Sequence, residues 1–63
     1  MQAGIHVMVI KNIQGNECEP FVGMTGVIIR KKKNNWFTVS LDEQTTYGRI
    51  FHFHQDELEE MYA

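Results

Sequence analysis

At 63 residues with a net charge of −2 and one cysteine, the chain is too short for a two-lobed catalytic cleft and has neither an intrachain disulfide nor a cysteine-based zinc site. The acidic balance gives no general attraction to nucleic acid. Residues 1–20 lack the charged start and apolar core of a signal peptide and no run approaches membrane-spanning length, so a soluble, cytoplasmic, single-domain protein over residues 1–63 is expected.

Gly4-Ile5-His6-Val7-Met8-Val9 alternates as a half-buried strand does, which predicts a first strand over residues 4–10. Ile5, Val7 and Val9 then share one face, and His6, Met8 and Ile10 the other. A long connection over residues 11–23 follows, holding Gly15, Asn16 and the only proline, Pro20. Connections of that size are often binding loops. It runs into Phe21-Val22-Gly23-Met24-Thr25-Gly26-Val27-Ile28, an apolar anchor, two glycines three apart and a β-branched run. The spacing predicts that Gly23 or Gly26 takes a backbone conformation closed to other residues. The run predicts a second strand over residues 26–32.

Lys33-Asn34-Asn35 reads as a turn, because asparagine tolerates left-handed backbone. A third strand over residues 36–41 puts Phe37, Val39 and Leu41 inward and Trp36, Thr38 and Ser40 outward. Residues 42–48 read as a polar loop and 49–53 as a fourth strand. Gln55-Asp56-Glu57 then makes one short helical turn before a last strand over residues 58–62. The expected buried set is Val7, Val9, Val27, Ile29, Phe37, Val39, Phe53 and Leu58, with Ile28 depending on whether a bulge shifts the phase of its strand. Five short strands at this spacing favour an all-β barrel or sandwich. Barrel closure would also remove the exposed strand edges of so small a chain.

Charge is unevenly spread. Arg30, Lys31, Lys32 and Lys33 form one basic block, while Asp56, Glu57, Glu59 and Glu60 crowd the C-terminus and read as a solvated tail. Catalysis is not expected. Cys18 sits between Glu17 and Glu19, whose charges disfavour its thiolate, and Ser40 lies mid-strand with no elbow motif around it. There is no phosphate-binding glycine loop. His52 and His54 share a strand face, and with His6 or Asp56 could in principle ligate zinc. Two alternate histidines without a four-ligand spacing more simply cover an outer face, so neither metal nor cofactor is expected.

Phe21-x-Gly23-x-x-Gly26-x-Ile28, following the Ile5–Ile10 strand, resembles the KOW signature of SH3-like barrels in ribosomal proteins and transcription elongation factors. The ending Gly48-x-Ile50-x-x-Phe53-x-x-x-Glu57-Leu58 is similar to that of small single-domain barrels. Examples are the photosystem I accessory subunit, the variable chain of ferredoxin–thioredoxin reductase and prophage-encoded SH3-like proteins. The resemblance implies a small five-stranded SH3-like barrel with one short helical turn near the C-terminus. It also implies a non-catalytic docking or nucleic-acid-contacting role, in an accessory or phage-borne protein.

Two functions follow as expectations. The first is a protein-interaction module that docks through its long first loop and its aromatics. Its contacts would be Phe21, Met24, Trp36 and Tyr47, with Lys31, Lys32 and Lys33 steering the partner. The alternative is nucleic-acid binding, with Arg30 and Lys31–Lys33 on phosphates and Trp36 stacking a base. Four clustered cations give few phosphate contacts, which favours the first. A basic stripe crossing an aromatic face would favour the second. No membrane or small-molecule partner is expected.

Overall fold

The computed structural model describes residues 1–11, 21–46 and 48–61. It is all-β, with two lone 3₁₀ turns as its only helical elements among the described residues. The strands are β1 (His6–Val9), β2 (Thr25–Lys31), β3 (Trp36–Thr45), β4 (Gly48–His54) and β5 (Leu58–Glu60). One 3₁₀ turn, Lys33–Asn35, joins β2 to β3; the other, Gln55–Glu57, joins β4 to β5. All pairings are antiparallel, in a single sheet of order β4-β3-β2-β1-β5. This arrangement is compatible with an SH3-like fold. The expected closure does not occur: β4 and β5 are the two edges of an open sheet rather than neighbours in a barrel.

Val7, Val9, Phe21, Ile28, Phe37, Val39, Leu41, Phe53 and Leu58 form the core, with Met1, Ile5, Met24 and Phe51 packed against it. Six of the eight residues expected to be buried are there. The two misses lie on β2. Ile29 is 47 % exposed and Val27 half-buried, while Ile28 is 1 % exposed. The pairing explains it. Ile28 faces Val39 and Arg30 faces Thr38, so Ile29 is an extra residue in a β-bulge. Gly26 and Ile28 therefore point inward. Arg30 joins the outer row and is kept off the core face.

The glycine expectation is met at Gly23, whose φ is +94°, in a tight turn where Met24 N–H donates to Phe21 C=O and Gly23 N–H to Val9 C=O. Gly26 is constrained differently: a Cβ there would lie 2.6 Å from the Ser40 carbonyl oxygen. Asn34 and Asn35 adopt left-handed backbone (φ 60° and 64°), as their turn requires.

Residues 42–48 are not simply a loop. β3 continues to Thr45 and β4 begins at Gly48, with a large register shift between Ser40 and Thr45. Within this stretch Thr45 pairs with Gly48, and Asp42, Glu43 and Gln44 between the paired positions are exposed. Glu57 corrects the picture of a solvated acidic tail. It is fully buried and accepts the His54 N–H at 2.8 Å, while His54 Nδ1 accepts the Asp56 N–H at 3.2 Å. Together they make a reciprocal cap for the turn. Glu60 is half-buried, 3.6 Å from the N-terminal ammonium.

A candidate docking groove beside Trp36

The Lys33–Asn35 turn folds β3 back along β2, with Lys32 N–H donating to Trp36 C=O at 2.7 Å. This reversal places Trp36 beside the basic block. Register then adds the neighbouring strand: Thr38 lies opposite His52 on β4, and Trp36 opposite His54. The result is an open groove of about 530 Å³ lined by Arg30, Lys31, Lys32, Lys33, Trp36 and His52. Four of the chain's six lysines and arginines thus converge on one site. Among the described residues no ion pair involves any of the four.

The groove's wall is fixed from behind. Thr38 is buried, and its hydroxyl lies 3.0 Å from His52 Nδ1, which holds that ring in place. Trp36 is half-buried with the His54 ring edge-on at 5.4 Å, and His54 is itself locked by the cap. An aromatic with a supported back and a cationic rim can bind an anionic segment that also carries an apolar or flat group. Ile29 directly precedes Arg30 on β2, and Ile50 lies on β4 near His52. Both are exposed, Ile50 at 59 %, and Ile50 lies two residues from His52 on the same face of β4.

The structure divides the expected contact residues. Lys31, Lys32, Lys33 and Trp36 share the groove. Met24 is half-buried at the other end of β2 and packs against the core. Phe21 is no surface contact: it is 5 % exposed, its ring tilted against Phe51 at 4.5 Å and edge-on to Phe53 at 6.4 Å. The apolar anchor ahead of the glycines is an anchor for the core itself. Tyr47, Cys18 and most of the long first loop, residues 12–20, lie outside the described residues. Sequence reasoning missed His52 as a groove residue, because only the β3–β4 register brings it there.

A second polar cluster sits on the outer face at the opposite end of β2. Thr25 Oγ1 donates to Asp42 Oδ2 at 2.5 Å, and His6 Nε2 lies 2.9 Å from the same oxygen. These bonds, the Thr25 one foremost and then His6, hold the Asp42 carboxyl below its ordinary value. Thr25 and His6 both donate to the carboxylate, so the imidazole is not placed to take the hydroxyl proton and the trio has no nucleophile–base geometry. The histidines of the zinc arrangement are apart, His6 being three strands from His52 in sheet order. Among the described residues no three His, Cys, Asp or Glu side chains are grouped to hold a metal ion. Among them, too, no helix is long and apolar enough to cross a membrane.

No family model, no curated protein and no solved structure matches the chain.

Proposed function

We propose that this chain is a non-catalytic docking module that binds a segment of another protein in the groove beside Trp36. The observation that carries the reading is the composition of that surface: four cations with no ion pair among the described residues, one supported tryptophan, and two exposed isoleucines each within two residues of a lining residue on its strand. Such a mixture fits an acidic segment with apolar side chains interspersed. The ring and the isoleucines supply burial, and the cations supply steering and register. The isoleucines favour protein over phosphate backbone, which offers them nothing to bury. With Phe21 in the core, Trp36 is the aromatic contact this groove offers.

Single-stranded nucleic acid is the second reading, favoured by Trp36 lying among Arg30–Lys33, the arrangement that stacks a base while neutralising phosphates. Trp36 is the only tryptophan, so its fluorescence reports the groove directly. Titration with a labelled peptide of glutamates and interspersed leucines, and with a single-stranded oligonucleotide, at several salt concentrations separates the two. Protein docking predicts saturable peptide binding with a shallow salt slope and a loss of about 2 kcal/mol in Trp36→Ala. Tighter oligonucleotide binding with a steep salt slope would transfer the site to nucleic acid.

A further inference from the structure

Resting on that docking reading, we infer that binding in the groove is proton-linked, with His52 the group that takes up the proton when an acidic segment docks. His52 lines the groove, and its neighbours there are the cations Arg30 and Lys31 of β2 and Lys32 and Lys33 of the turn. From β3, Trp36 and Thr38 face it. Among the described residues no carboxylate lines the groove. A docked acidic segment would bring carboxylates beside the ring and favour its charged form. By linkage, whatever favours the protonated ring must itself be bound more tightly by it.

The local geometry lets the charge change without moving the ring. Nδ1 of His52 lies 3.0 Å from the Thr38 hydroxyl, a group that both donates and accepts. It donates to a neutral Nδ1 and, after rotating, accepts from a protonated one. His54 differs. Its Nδ1 accepts the Asp56 backbone N–H, which can only donate, so a proton there costs the cap of the Gln55–Glu57 turn. Asp56 and Glu57 are the acidic groups around His54, and His6 is engaged with Asp42 away from the groove. Of the three histidines, only His52 both faces the partner and keeps its hydrogen bond in either charge state.

The test is the affinity of the glutamate–leucine peptide from about pH 8 to about pH 6 at fixed ionic strength, where the peptide's carboxylates remain ionised. Wild-type affinity should rise by about fivefold or more across this range. His52→Gln, which can still accept from Thr38, should bind with a flat profile, and His52→Lys should bind tightly and equally at both ends. His6→Gln and His54→Gln should keep the wild-type slope. A slope that survives in His52→Gln, or vanishes in His54→Gln, overturns the assignment. Peptide binding that is flat with pH in the wild type defeats the proton linkage and leaves the docking reading standing. No peptide binding at any pH defeats both.

Discussion

The two ends of β2 treat charge and space in opposite ways. At the Thr25–Ile28 end, Asp42 is satisfied by Thr25 and His6, Gly26 lies against the β3 backbone, and Ile28 is sealed in the core. At the Arg30–Lys31 end the cations make no ion pair among the described residues, and the surface opens into a groove. Polar groups that satisfy one another hold shape. Those gathered and left unsatisfied are available to a partner. A small domain with a stability of only several kcal/mol can keep such a patch because the packed end carries the fold.

The sharpest way to break this contrast is at the packed end. Gly26→Ala would drive a Cβ to within 2.6 Å of the Ser40 carbonyl and 2.9 Å of the Val39 side chain. The sheet must shift, and a loss of about 3 kcal/mol in denaturant unfolding is expected. An unchanged midpoint would mean that the β2–β3 contact is looser than described. Gly23→Ala comes next. Open space surrounds it, so only its φ of +94° penalises the methyl, and the expected loss is just over 1 kcal/mol. A neutral or stabilising result would show that the turn relaxes.

Asp42→Asn should have a smaller effect, and a pH-dependent one. A carboxyl whose folded pKa is depressed contributes stability above its unfolded value and loses it as pH falls through the folded one. For Asp42 that loss begins near the ordinary value of 3.8 and continues below it. The melting temperatures of wild type and variant should therefore differ at about pH 6, and the gap should narrow as pH falls below the ordinary value. A gap that persists in acid would trace it to packing instead. The smallest effect belongs to the open end: Lys31→Glu with Lys33→Glu should change stability by less than about 0.5 kcal/mol. A marked drop would make those lysines structural and erase the distinction.

The local half of this design was legible in the sequence. Strand alternation placed Val7, Val9, Phe37, Val39 and Phe53 in the core, and turn chemistry located Asn34, Asn35 and the Gln55–Glu57 turn. What escaped was set by pairing between distant segments. The bulge at Ile29 exists only relative to β3, so a period-of-two reading of β2 runs on in the wrong phase beyond it. His52 joins the groove through its register with Thr38. Glu57 reads as one more acidic tail residue until His54, an unusual N-cap, is seen completing its box. Trp36 and the basic block could be placed together, because one short turn separates them.

The bulge has a consequence for how this chain can change over generations. Without an extra residue, Arg30 would lie opposite Phe37 on the inward side, and every substitution along β2 would be judged by one steric rule. With Ile29 as a spacer, the strand is counted twice: once from Gly26 and Ile28 against the core, and again from Arg30 against the outer row. Selection can rewrite the second count, exchanging cations for other side chains, while the first stays untouched. A single unpaired residue thus lets this outer surface vary in heredity separately from the fold.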